Sequence, residues 1–222
     1  MPYFNQDFLD FFKELAGNNN KDWFDVNRKR YEREVKVPFQ KFIEHMISLV
    51  HKEDPKVNIT YKESIFRINR DIRFSKDKTP YKTQVSGIIS RGGKKDKVTP
   101  GIYIQLTPEH VRVYGGIFSC DKEQLYDIRS YILTHGNDFQ KAYKNKTFVD
   151  KFGEIRGERN KMIPKEFREL GEKEELIYNK QFYYFGQMEP EVVLDEKLPE
   201  MIMSYYRASE PVKDFLEKAL TE

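Results

Sequence analysis

The pattern of the chain changes in residues 66–83, which read FRINRDIRFSKDKTPYKT. In the first half of this segment apolar residues alternate with polar ones, which is typical of a strand with one buried face. A polar turn with Pro80 follows. The segment carries six basic residues against two acidic ones. Guanidinium and ammonium groups displayed together on a sheet are a common means of holding phosphate or carboxylate groups, so the segment is a candidate anion site.

Before this segment the apolar residues recur at helical spacing. Asn5 is expected to cap a first helix, and Asn20 a second one over residues 21–35. Pro38 suits the first turn of a third helix, whose apolar side chains recur at i, i+3, i+4 and i+7. Residues 1–54 are therefore predicted to form N-terminal helices.

After this segment the strand-like pattern continues. Residues 85–90 form a second apolar run, and residues 101–106 and 111–118 flank a short turn, as in a hairpin. Together with residues 66–74 they predict a four-stranded antiparallel meander within residues 60–118.

Residues 121–222 are predicted to be mainly helical, with one or two further strands. Asp121 and Gln124 resemble a capping box at the start of a helix. Residues 181–188 are rich in aromatic side chains and fit either another strand or a buried helix end.

Two closing helices are expected, one after Pro199 and one after Pro211. No internal repeat, low-complexity block or linker interrupts the sequence. We therefore predict a single α+β domain over residues 1–222, with a central meander sheet of about four or more strands packed by N-terminal and C-terminal helices.

The composition limits the classes of function. The chain has 222 residues, a net charge of +3 and an aromatic share of 14%. This length supports a sizeable core and the aromatic residues supply large core side chains, so disorder is not expected. Because a dedicated duplex-DNA binder carries a stronger basic excess, a role with nucleic acid would need a local patch.

The expected compartment is the cytoplasm. The first residues lack the basic start and apolar stretch of a signal peptide, and no apolar run approaches the ~20 residues of a spanning helix, so no membrane partner is predicted. A single cysteine, Cys120, fits a reducing compartment.

No known catalytic or cofactor motif is present. The four histidines lack metal-ligand spacing, and there is no nucleophile elbow, phosphate loop or dinucleotide fingerprint, so we predict neither metal nor cofactor. Cys120 precedes a predicted helix start. There it is either a small residue at a strand–helix junction or a thiol whose pKa is lowered by the helix dipole.

The basic segment supplies the candidate site. In a regular strand Arg67, Asp71 and Arg73 share a face, so the two guanidinium groups could clamp oxygens while Asp71 orients them. Arg70 falls on the opposite, apolar face, where it needs an internal acidic partner unless the strand breaks. The candidate ligand-binding residues of this segment are Arg67, Arg70, Arg73, Lys76, Lys78, Tyr81 and Lys82. If the site is enzymatic, the candidates for general base are Asp71 and Asp77.

Three functions are open at this point. The first is binding, with or without turnover, of a phosphorylated or other anionic small molecule. The second is a protein-interaction scaffold whose Arg–Asp pairs are structural bridges. The third is a nucleic-acid accessory module that adds the aromatic residues 182–185 to the basic strand. The Gly/Lys loop at residues 91–97 is predicted to be a solvated tip at the other end of the sheet from the turn at residues 76–80.

Two motifs resemble a widespread family of conserved hypothetical proteins from bacteria and fungi, known as a domain of unknown function. One is NNNKDWFDVNRKRY at residues 18–31, and the other is the pattern F-R-I-x-R-D-x-R-F-S-K-D-K-x-P-Y-K-T at residues 66–83. The resemblance implies no activity, catalytic residue or cofactor. It implies that the second helix places four side chains beside the central strand: Trp23, Asn27, Arg28 and Tyr31. Arg28 would then be a further anion contact or a partner for Asp71.

Overall fold

The computed structural model describes residues 1–96 and 98–222. Lys97, in the predicted Gly/Lys loop, lies outside the described residues. The described residues form helices and one four-stranded antiparallel sheet in the order β1-β2-β3-β4, which confirms the α+β prediction. The strands are β1 (Val85–Ile89), β2 (Ile102–Leu106), β3 (Val111–Ile117) and β4 (Phe182–Met188).

The strand predicted at residues 66–74 is wrong, and β4 takes the fourth place in the sheet. The segment pairs only through isolated bridges, Ile65 with Gly87 and Asn69 with Tyr81. The second bridge folds the segment back on itself. Because Phe74 is 95% exposed, the alternation does not build a continuous buried face.

The aromatic residues 182–185 form the start of β4. Phe182 and Tyr184 are fully buried, whereas Tyr183 and Phe185 are half-buried. This alternation is that of a strand with one face in a core, and it decides between the strand and the helix end that the sequence left open.

The N-terminal helices are α1 (Gln6–Gly17), α2 (Lys21–Val26), α3 (Arg28–Arg30), a π-helix (Tyr31–Lys36), α4 (Val37–Glu53) and α5 (Tyr61–Ser64). Asn5 and Asn20 cap α1 and α2 as predicted, each accepting a hydrogen bond from a backbone N–H. The helix predicted at residues 21–35 is not continuous. Pro38 has no N–H to donate to the carbonyl of Glu34, and its ring would crowd that carbonyl in a regular α-helix. The wider π-helical turn lies just before Pro38.

The later helices are α6 (Lys122–Lys144), α7 (Lys146–Phe152), α8 (Arg168–Gly171) and α9 (Leu198–Ala219). Short 3₁₀ segments lie at Gly93–Lys95, Lys165–Phe167, Glu175–Tyr178 and Pro190–Leu194. The capping box of Asp121 and Gln124 is confirmed by reciprocal bonds of 3.0 and 2.9 Å. The two predicted closing helices are one helix, because Pro211 lies inside α9, where the buried Val212 and Leu216 follow it.

The chain divides into two compact units. Unit 1 comprises Met1–Lys95, Tyr103–Val113 and Gln187–Met203, and unit 2 comprises Asp96–Ile102, Tyr114–Gly186 and Ser204–Glu222. Unit 1 has a core rich in phenylalanine, in which Phe8 packs against Phe12 and Phe4. In unit 2, Tyr184 packs against Phe148 and Phe152. The single domain with the bounds given above stays a prediction.

We predict that Gly116→Ala destabilises the protein by more than about 2 kcal/mol. Gly116 has a φ of +84°, and a Cβ there would lie 2.1 Å from the carbonyl oxygen of Phe182. The matched control is Gly136→Ala in α6, just after the non-helical His135, where a Cβ meets nothing within 4 Å and where alanine is expected to change the stability by less than about 1 kcal/mol. Urea unfolding of both variants measures the difference. Equal stability of the two variants would contradict the close approach of the strands.

Candidate functional site

A cavity of about 450 Å³ lies within unit 1. Its wall combines residues 65–69 with side chains from the helices of residues 24–40, from α5 and from the start of the β1–β2 loop. Its basic residues are Arg28, Lys36, Lys62, Arg67 and Lys94, and its one acidic residue among those described is Glu32. The wall is therefore strongly positive.

Asn19 ties the two sequence motifs together. Its Nδ2 donates to the carbonyl oxygen of Tyr81 at 2.9 Å, and its Oδ1 accepts from the backbone N–H of Tyr81 at 3.1 Å. The ring of Tyr81 stacks on Phe24, with 4.0 Å between the ring centroids and 14° between the planes. These contacts place the predicted site residue Tyr81 in the cavity wall beside the helix that carries Arg28.

The π-helix brings three polar side chains to the cavity. The N–H of Val37 bonds to the carbonyl of Glu32, five residues earlier, and this longer turn places Lys36 on the same side as Tyr31 and Glu32. A regular α-helix would turn Lys36 away from Tyr31. Local widening of this kind is frequent at functional sites.

Tyr31 offers a hydroxyl group without a partner. Its ring packs against Phe11 and Phe24, and within the described residues its hydroxyl makes no hydrogen bond. Burial raises the pKa of Tyr31 to about 12, so the hydroxyl stays protonated and able to donate at neutral pH. Tyr31 is half-buried, and a hydroxyl that bonds to no described residue is available to a ligand oxygen in the cavity.

Arg67 is the free guanidinium of the site. It is exposed, it lines the cavity, and it makes no hydrogen bond or ion pair with any other residue that the structure describes. Arg28 also lines the cavity, but it pairs with Asp25 and lies 5.6 Å from the ring centre of Phe24. Arg28 is therefore not a partner of Asp71.

Lys94 belongs to the cavity and was missed from the sequence. Its Nζ donates to the carbonyl oxygens of Lys62 at 2.6 Å and Ile65 at 3.0 Å, which anchors the loop after β1 to α5. The predicted antiparallel pairing contained the signal for it. In such a pair the end of β1 and the loop after it lie beside the residues that precede the basic segment, and the bridge of Ile65 with Gly87 has this direction.

Arg70 closes a loop instead of binding in the cavity. Its guanidinium pairs with Asp77 and donates to the hydroxyl of Thr79, while its backbone N–H bonds to Pro80 O at 2.9 Å. The sequence required either an acidic partner or a break in the strand for Arg70, and the structure has both. The backbone N–H of Thr79 and then the guanidinium of Arg70 lower the pKa of Asp77 to about 2.

Arg73 and Asp71 form an exposed pair. Arg73 donates to both carboxylate oxygens of Asp71, at 2.9 and 2.7 Å, and its side chain is 76% exposed. The hydrogen bonds from Arg73 lower the pKa of Asp71. Residues 66–74 are not a strand, so the strand face predicted for Arg67 and Arg73 is not formed. Arg73 bonds to Asp71, whereas Arg67 acts on Asp71 only through its charge, which also lowers the pKa of Asp71.

The lysines of the segment lie outside the cavity wall. Lys76 is exposed, and Lys78 Nζ donates to the carbonyl of Ile72 at 2.9 Å. Lys82 is half-buried, with its Nζ 5.7 Å from the ring centre of Phe66, and burial followed by the charge of Arg67 lowers its pKa. Of the predicted binding residues, the cavity thus gathers Arg28, Arg67 and Tyr81.

The histidines, the cysteine and the acidic residues bear on the remaining predictions. Over residues 1–96 and 98–222, no three His, Cys, Asp or Glu side chains are grouped so as to hold a metal ion. Burial raises the pKa of Cys120 to about 11. The alternative of a thiol with a lowered pKa is therefore wrong, and Cys120 is better described as a small residue at a strand–helix junction. No described helix combines the length and the apolar character needed to cross a bilayer.

Comparison with known proteins assigns the family. The model of a family described as conserved hypothetical protein (DUF2461) matches residues 7–215. The chain belongs to this family. The match confirms the predicted resemblance to a family of conserved hypothetical proteins and covers the whole of the cavity wall. No match to the chain was found among curated proteins.

We predict that Asn19→Ala lowers the stability by about 1–3 kcal/mol, because both backbone polar groups of Tyr81 lose their partner. Asn18→Ala is the matched control. The exposed side chain of Asn18 donates only to the carbonyl of Glu14, so its loss is expected to cost less than about 1 kcal/mol. Chemical unfolding measures both, and similar losses would show that Asn19 does not hold the two motifs together.

The lowered pKa of Asp77 leads to a prediction for the pH dependence of stability. It lies below the ordinary value of 3.8, so Asp77 stabilises the fold above about pH 3.8, and this contribution is lost as the pH falls through about 2. In Arg70→Gln, NMR titration of the carboxyl should show a midpoint that is higher but still below 3.8, because Thr79 still donates. Arg73→Gln, the control, should leave the midpoint of Asp77 unchanged. An unchanged midpoint in Arg70→Gln would refute the loop closure.

Proposed function

We propose that unit 1 binds a phosphorylated or other anionic small molecule in the cavity lined by Arg28, Arg67 and Lys94. The observation that carries the proposal is the free guanidinium of Arg67 in a wall with five basic residues and one acidic residue. Guanidinium groups bind carboxylate and phosphate through paired hydrogen bonds, and an arginine without a protein partner is free to do so.

The charge balance within the wall supports an external anion. Glu32, the one carboxylate among the described wall residues, lies 3.5 Å from Lys36 and makes no ion pair with Arg67. Lys94 donates to two carbonyl oxygens and makes no ion pair among the described residues, although its charge, after that of Lys95, helps to lower the pKa of Glu63 outside the wall. Within the described part of the chain, the side chain of Lys62 likewise has no acidic partner. The summed field attracts an anion to this wall.

The cavity wall also contains an uncharged hydrogen-bond donor. The hydroxyl of Tyr31 has no partner among the described residues, and its high pKa keeps its proton in place at neutral pH. Such a donor can bond to an anionic oxygen. Asp71 and Asp77, the candidate general bases, are both paired with arginines outside the cavity, so the proposal is of binding and assigns no reaction.

A protein-interaction role is the second candidate, and Phe74 favours it. Its side chain is 95% exposed on the loop that Arg70 and Asp77 close, and the guanidinium of Arg73 lies 5.9 Å from its ring centre. A large apolar side chain on a tied loop is suited to contact with a partner. The nucleic-acid role has less support, since Phe182 and Tyr184 are buried and cannot stack on bases.

The test compares two arginines of the same segment. A thermal-shift screen and titration calorimetry would use inorganic phosphate, sugar phosphates and dicarboxylates, at low and high salt. A ligand at 100 times its dissociation constant stabilises the folded state by about 2.7 kcal/mol, which such a screen detects. We expect Arg67→Gln to weaken binding by about 10- to 100-fold, as for loss of a hydrogen bond to a charged group.

The control is Arg73→Gln, which removes the same charge from an exposed pair outside the cavity wall. It should change the affinity by less than about threefold, because Arg73 is exposed and does not line the cavity. Equal losses in the two variants would indicate a diffuse field and overturn the site. Absence of binding by every anion in the panel would overturn the function.

A further inference from the structure

We infer that the ligand joins its anionic group to a planar aromatic ring. This inference rests on the proposed function and names the chemical class that the same cavity would take. It is carried by the other half of the cavity wall, which is aromatic.

Six aromatic side chains line the cavity: Phe24, Tyr31, Phe39, Tyr61, Phe66 and Tyr81. Tyr31, Tyr61 and Phe66 are half-buried, so part of each ring remains open to a ligand. The aliphatic side chains of Ile65, Ile68 and Val85 extend the same wall. An anion without an apolar body would leave this surface in contact with water, whereas a ring would cover it.

The size of the cavity agrees with an organic ligand. Its volume of about 450 Å³ lies within the range of roughly 300–1,000 Å³ that is usual for small-molecule sites. Such sites combine mainly apolar walls with a few polar groups that orient the ligand. Here the orienting groups are Arg67 and the hydroxyl of Tyr31, neither of which has a hydrogen-bond partner in the described part of the chain.

Cations also lie against the aromatic groups. In the wall, the guanidinium of Arg28 is 5.6 Å from the ring centre of Phe24. Nζ of Lys82, which lies outside the wall, is 5.7 Å from the ring centre of Phe66. Phe66 also packs against Tyr103, with 5.8 Å between the ring centroids, which holds its ring in place. One ligand can therefore place a ring against the aromatic wall and its charge beside a cation, since the two kinds of group adjoin.

The test uses matched probes with the unaltered chain. Phenyl phosphate and glycerol 3-phosphate carry the same phosphate monoester and differ in the ring, and benzyl alcohol has the ring without the charge. Calorimetry should show phenyl phosphate binding at least about tenfold more tightly than glycerol 3-phosphate. Burial of roughly 60 Å² of ring surface is enough for that factor.

Two variants separate the ring from the charge. Phe66→Leu should weaken phenyl phosphate by about threefold or more and leave glycerol 3-phosphate unchanged, whereas Arg67→Gln should weaken both. Near-ultraviolet circular dichroism checks that each variant is folded. If a variant does not fold, the comparison of the three probes with the unaltered chain still tests the inference.

The outcomes distinguish this inference from the proposed function. Equal affinity for phenyl phosphate and glycerol 3-phosphate, with both dependent on Arg67, would overturn the aromatic ligand and support the anion site. Binding of benzyl alcohol as tight as that of phenyl phosphate would overturn the anion site. Absence of binding by all three probes would overturn both.

Discussion

The side-chain amide of Asn19 is the contact on which the candidate site depends, because it joins positions 62 residues apart in the chain. It bonds to both backbone polar groups of Tyr81, and the ring of Tyr81 stacks on Phe24. One motif thereby brings Arg28 and Tyr31 to the cavity, and the other brings Arg67. Neither helix nor loop could line the cavity alone. The three consecutive asparagines have different roles, since Asn18 and Asn20 serve helix ends while Asn19 makes this tie.

Within the basic segment, the nearest carboxylate decides what each charge does. Arg70 and Arg73 have aspartates within the same loop, and their pairs shape that loop. Arg67 lies only three residues before Arg70, yet within the described residues no carboxylate bonds to it. The three arginines of this run thus divide into two that shape the loop and one, Arg67, that bonds to no other described residue.

Local signals in the sequence were sound where local interactions decide the structure. The caps of Asn5, Asn20 and Asp121 were confirmed because each depends on neighbours within a few residues. The strand at residues 66–74 failed because alternation describes only one chain, whereas a strand also needs a continuous partner. The break expected at Pro211 failed because burial of α9 outweighs the lost hydrogen bond.

The sequence by itself determined the helix caps at Asn5, Asn20 and Asp121, the α+β class, the family, and the presence of a basic segment and an asparagine-rich motif. Only the tertiary structure decided which cations meet: Arg28, Arg67 and Lys94 line one cavity, whereas Arg70 and Arg73 are paired elsewhere. The reason is physical. Caps and periodicity act over one turn or one strand, but the convergence of charges depends on distances between side chains that are far apart in the chain, and those distances are set by packing.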